Sequence, residues 1–103
     1  MLDRMSHYVR DGHESRRTDP VTWHEWVISA DRVVARTQVS ADLVVSTVFV
    51  GLDMGCDPSS PLLFETELMK AGVSSVDARR VRYSTWAEAE VGHEEIVREY
   101  RGF

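Results

Sequence analysis

From Arg32 to Val39 the side chains alternate with a period of two, and after Ser40-Ala41-Asp42 a largely apolar run follows from Leu43 to Leu52. A period of two over this length demands extended chain, because only a strand sends successive side chains to opposite faces. Val33, Ala35, Thr37 and Val39 form the inward set of a first strand, alternating with Arg32, Val34, Arg36 and Gln38. A three-residue loop then pairs Val39 with Leu43, Thr37 with Val45, Ala35 with Thr47 and Val33 with Phe49. This register gathers one apolar face, which protects it against slippage.

The second strand, Leu43 to Leu52, is apolar on its other face as well, through Val44, Val48, Val50 and Leu52. Such a strand belongs in the middle of a sheet with something behind it. The candidates are a helix carrying Trp23 and Trp26, or a second copy of the chain in a homodimer. Leu62 to Met69 reads as a third strand, with Leu62, Phe64, Thr66 and Leu68 inward and Glu65 and Glu67 outward. Arg80 to Ser84 reads as a fourth, with Val81 and Tyr83 inward. Its outward Arg80 and Arg82 invite cross-strand pairing with the two glutamates. Gly55 to Pro61 and Gly72 to Asp77 read as loops.

After Ser84 the period lengthens. Trp86, Ala89, His93, Ile96, Val97 and Tyr100 recur at helical spacing behind a capping box, Thr85-Trp86-Ala87-Glu88. Gly92 inside this helix costs about 1 kcal/mol relative to alanine, which close approach to the sheet would offset. A shorter helix is predicted from Pro20, with Thr22 to Glu25 as its capping box and Trp23, Trp26 and Val27 as its apolar face. Residues 1–19 are polar without an apolar period and are expected to form a flexible arm. The expected architecture is therefore α+β: a four-stranded antiparallel β-meander, a short N-terminal helix, and a C-terminal amphipathic helix packed on the sheet. Residues 20–103 would form a single domain.

Charge and composition narrow the function. The net charge of −5 argues against binding nucleic acid by neutralising phosphates. No apolar run approaches the roughly 18–20 residues that span a bilayer, and the first residues lack the pattern of a signal peptide. One cysteine, Cys56, allows neither an intrachain disulfide nor a multi-cysteine metal site. The expected setting is the cytoplasm. Of twelve basic residues eleven are Arg and only Lys70 is Lys, which reads as the mark of a GC-rich genome. Signatures of phosphate loops, dinucleotide folds and zinc hydrolases are missing, so no cofactor and no metal is expected.

His93 is the first residue to weigh for chemistry. It could act as a general base beside Asp53 or Glu65, but a histidine on an apolar helical stripe is more often a packed one, and a metal centre needs three or four ligands. Cys56 has no basic neighbour in sequence to depress its pKa. Glu65 becomes functional only where its sheet face is covered, and Ser84-Thr85 reads first as a cap. Trp23 and Trp26 read as core before they read as a partner-binding patch. The candidate ligand or partner residues are thus Asp53, Glu65, Tyr83, His93, Trp23 and Trp26, with no catalytic set among them.

Four segments carry a resemblance: Asp31 to Thr37, Val45 to Asp53, Pro61 to Thr66, and Arg82 to Ala89 followed by Gly92-His93. In this order they resemble a family of small uncharacterised proteins from bacteriophages and prophages of actinobacteria. After Asp53 that family has a histidine where this chain has Met54. The resemblance implies a phage origin and a host cytoplasm, and supplies no activity. The reading that follows is a non-catalytic, phage-encoded accessory protein that binds a host or phage protein. Its competitor is a small-ligand binder or small enzyme using a His/carboxylate site.

Overall fold

The computed structural model describes residues 5–53, 60–70, 73–74 and 80–101. The chain runs through β1 (Ser6–Asp11), β2 (Glu14–Thr18), α1 (Pro20–Ser29), β3 (Val33–Ser40), β4 (Leu43–Phe49), β5 (Leu52–Asp53), β6 (Phe64–Lys70), β7 (Val73–Ser74), β8 (Arg80–Tyr83) and α2 (Trp86–Arg101). The α+β class holds, and α2 packs on the sheet as expected. The single four-stranded meander does not hold. The four expected strands lie side by side as β3-β4-β6-β8, but β7 also pairs with β6, and a second sheet has the order β2-β1-β5. All pairings are antiparallel.

The register of β3 on β4 shows how local chemistry adjusts a correct plan. Thr37 opposes Val45 and Ala35 opposes Thr47, as the alternation requires. The turn is tighter than expected, with Ser40 opposite Leu43, and a bulge between Gln38 and Ser40 absorbs the extra residue. A second bulge, between Val33 and Ala35, sets Val33 against Val48 instead of Phe49. Bulges re-aim side chains. Here Val34 turns in against the Phe49 cluster, while Val33, expected inward, is 37 % exposed.

The strand expected from Leu43 to Leu52 is broken at Gly51, which has a φ of +75°. A Cβ there would stand 2.5 Å from the Tyr8 carbonyl oxygen and 2.8 Å from Trp23 Nε1, so only glycine fits. Beyond this hinge the chain leaves β4 and joins the other sheet as β5. Tyr8 N–H donates to the Gly51 carbonyl at 2.8 Å, tying the two sheets at that point.

Residues 6–18, expected within a flexible arm, form the β1–β2 hairpin. Its two-residue turn is opened by Gly12 at a φ of +64°, the left-handed conformation that tight hairpins need. Few of its residues are apolar, but aromatic and cationic contacts dock it. Tyr8 packs against the Phe49 cluster. His13 stacks on Trp86 at 3.9 Å between centroids, and the Arg10 guanidinium lies over the same ring at 4.9 Å.

Helix α1 starts where Pro20 predicts, but the cap is Asp19, not the expected Thr22/Glu25 box. The Asp19 carboxylate accepts from Thr22 N–H and from Thr22 Oγ1, each at 2.8 Å. The Thr22 bonds hold that carboxyl below its ordinary pKa. Trp23, Trp26 and Val27 are half-buried, and Trp26 meets Phe49 edge-on at 5.6 Å. The cap of α2 is the expected one: Glu88 N–H donates to Thr85 Oγ1 at 3.1 Å, and Glu88 Oε1 accepts from Thr85 N–H at 3.2 Å.

Two packed groups lie under α2. One joins Val45, Leu68, Ile96 and Val97; the other joins Phe49, Leu63, Phe64 and Ala89. Gly92 lies between them, and a Cβ on it would overlap the Tyr83 ring, so the close approach expected at this glycine is present. The opposite face of the sheet carries Val44 and Val48, both half-buried, beside Ser46 and Glu65. Helix α1 packs along β1, and its Trp26 meets Phe49, which belongs to the packed group under α2. Met54, Cys56, most of the first predicted loop and all of the second except Val73–Ser74 lie outside the described residues; that pair is a short strand and not loop.

Candidate functional site

Three inward threonines, one each from β3, β4 and β6, meet one histidine from α2. His93 is fully buried. Its Nδ1 bonds Thr47 Oγ1 at 2.7 Å and its Nε2 bonds Thr37 Oγ1 at 2.8 Å, while Thr47 in turn bonds Thr66. A neutral imidazole donates from one nitrogen and accepts at the other, so this chain of hydroxyls satisfies it on both sides. Burial pushes its pKa down from the ordinary 6.5, partly opposed by the neighbouring Glu94. The ring is neutral, enclosed and fully bonded. General-base work on a solvent-borne substrate needs a reachable lone pair, and His93 offers none.

The carboxylates expected near His93 lie elsewhere. Glu65, expected to face solvent, is 8 % exposed on the sheet face away from α2. Arg82 Nε donates to its Oε1 at 2.9 Å, and the adjacent Arg80–Glu67 pair stands at 3.7 Å, so the predicted cross-strand pairing is present. Val48 and Arg82 flank Glu65 on the neighbouring strands. Asp53 is buried in β5, where its Oδ1 accepts from Leu62 N–H at 3.2 Å. It fastens the start of the Leu62–Leu63 segment to the smaller sheet. Trp23 and Trp26 stay on α1. The six candidate residues therefore form no common site, and among the described residues no cluster of three His, Cys, Asp or Glu side chains could hold a metal ion.

Tyr83 is the exception that leads to a surface. Its ring lies under Gly92, its hydroxyl is buried without a hydrogen-bond partner among the described residues, and it lines a groove of about 620 Å³ between the end of β8 and α2. Leu62, Ala87 and Val91 supply further apolar lining, and Arg82, Glu88 and Glu95 supply charge. Leu62, expected inward, is 39 % exposed here, and Val91 is 60 % exposed. Neither was legible as a site residue. Val91 stands off the buried stripe of α2, where a lone valine looks incidental. The threonines did leave a signal: Thr37, Thr47 and Thr66 are three hydroxyls on one apolar face, opposite a helix whose stripe contains a histidine.

Comparison with protein-family models, with curated proteins and with solved structures gives no match to this chain.

Proposed function

We propose that this chain is a non-catalytic, phage-encoded accessory protein that binds a host or phage protein in the host cytoplasm, and that the groove between β8 and α2 receives the partner. One observation carries the reading: the groove exposes Leu62 and Val91 side by side with charged groups, while the one buried histidine is enclosed by threonines. An apolar side chain of a partner would desolvate Leu62 and Val91, and Glu88 and Glu95 favour a neighbouring lysine or arginine. The phage setting is supported by the resemblance of the β3–β4, β6 and β8–α2 segments.

A second reading, a small-ligand binder, is favoured by the Tyr83 hydroxyl, buried without a hydrogen-bond partner among the described residues, in a side chain that lines the groove. A ligand carrying an acceptor would satisfy it. Parallel affinity capture with the wild-type chain and Val91→Asp separates the two, with native mass spectrometry of each eluate. A protein retained by the wild type and lost from Val91→Asp supports protein binding at the groove. The same proteins on both would overturn it, and a bound small molecule without a protein would favour the second reading.

A further inference from the structure

Helix α1 is apolar on both sides. Trp23 meets His7 of the hairpin, Trp26 meets Phe49 and Val27 is half-buried, yet no residue of the helix is fully buried. On the outer side Val21 is 67 % exposed and Ile28 71 % exposed, the two highest values among the large apolar side chains of the described residues. Between them stand His24 and Glu25, both exposed. At 100° per residue, positions 21, 24, 25 and 28 share one stripe about 100° wide. A helix with apolar residues on opposite faces is normally covered on both.

We propose that the outer stripe of α1 is a two-fold contact between copies of this chain, with the two helices antiparallel. The order Val-His-Glu-Ile at spacing three, one and three is what selects a second copy over another occupant. A two-fold axis between positions 24 and 25 sets Val21 against the second copy's Ile28 and His24 against the second copy's Glu25, each contact occurring twice. The imidazole N–H then donates to a carboxylate, and the two apolar pairs flank that centre. A parallel pairing in register would oppose Glu25 to Glu25 and His24 to His24. The sheet face bearing Val44 and Val48 is a poorer candidate, because its valines are half-buried among polar groups: the Glu65–Arg82 and Glu67–Arg80 pairs and Arg36, which donates to Ser46 Oγ. One short helix pair falls below the roughly 1,200 Å² of a stable interface, so the dimer is a weak one that forms with rising concentration.

Sedimentation equilibrium of the full chain tests this, from micromolar to millimolar concentration. The wild type is expected to move from the monomer mass toward twice that mass. Ile28→Asp, at an exposed position, keeps the far-ultraviolet dichroism of the wild type and remains monomeric throughout. His24→Glu brings like charges together and raises the dissociation constant about tenfold or more, and adding Glu25→Lys to it restores association to near the wild-type value. A wild type that stays monomeric at every concentration overturns the proposal. So does a dimer that Ile28→Asp leaves intact, or a double variant as weak as His24→Glu alone.

Discussion

His93 and Gly92 are neighbours in α2 that serve the same contact with the sheet in opposite ways. His93 bonds the hydroxyls of Thr47 and Thr37, with Thr66 joined through Thr47, and Gly92 supplies the room. The pH dependence follows from the first. The folded-state pKa of His93 lies below 6.5, so on acidification the unfolded chain takes up the proton first. Stability is full above about pH 6.5 and falls as pH drops from there toward the folded-state value, by about 1.4 kcal/mol for each unit between the two. Urea unfolding at a series of pH values should show this slope in the wild type and lose it in His93→Gln. Equal slopes would mean that His93 is not buried neutral. Gly92→Ala tests the second. Alanine gains about 1 kcal/mol of helix propensity, but its Cβ meets the Tyr83 ring, and overpacking of that kind costs about 1–3 kcal/mol. The variant should be less stable than the wild type, and more stable when combined with Tyr83→Val. A Gly92→Ala midpoint above that of the wild type, the helix-propensity gain without the clash, would count against the contact.

Among the elements, those with a periodic apolar pattern were legible and those held by special contacts were not. The β3–β4 register was readable at Thr37 and Ala35, but its two bulges were not. A bulge leaves no compositional mark when a valine sits on either side of it, as Val33 and Val34 do. The break at Gly51 was hidden inside an apolar run that continues through it, and three-dimensional crowding by Tyr8 and Trp23 is what requires the glycine. The hairpin was missed for a different reason. Its docking residues, His13 and Arg10, are polar in any hydropathy count, and their partner Trp86 lies far away in sequence. Asp11-Gly12 was the available signal, a dipeptide that favours tight turns. Deleting residues 1–18 should therefore lower the thermal midpoint clearly, since it uncovers one face of Trp86 and the Tyr8 side of the Phe49 cluster. A truncated chain that melts with the full-length one would show that the hairpin adds nothing to the core.

At the scale of the whole molecule, Trp86 is where the two sheets and α2 come together. Its ring meets Phe64 of the larger sheet edge-on at 6.3 Å and is stacked by His13 from the hairpin at 3.9 Å, while its backbone opens α2. The candidate site was less legible than this core, because a site depends on which residues the fold leaves exposed. Tyr83 was the one nominated residue that the fold placed on the groove, and Leu62 and Val91 were found only through their exposure. The dual role of Trp86 predicts an effect that a merely large residue would not have. Trp86→Ala and Ile96→Ala both delete packed side chains of α2, at costs of about 3–5 and 2–5 kcal/mol. Ile96 belongs to the group with Val45, Leu68 and Val97, away from the hairpin. Hydrogen exchange read by mass spectrometry, under conditions where both variants remain folded, should thus separate them. Trp86→Ala should release protection in residues 6–18 beyond its effect on β4 and β6, because the hairpin loses the surface on which His13 and Arg10 rest. Ile96→Ala should raise exchange in β4, β6 and α2 with no added loss in the hairpin. Equal hairpin exchange in the two variants would mean that the stacking on Trp86 contributes nothing to joining the sheets.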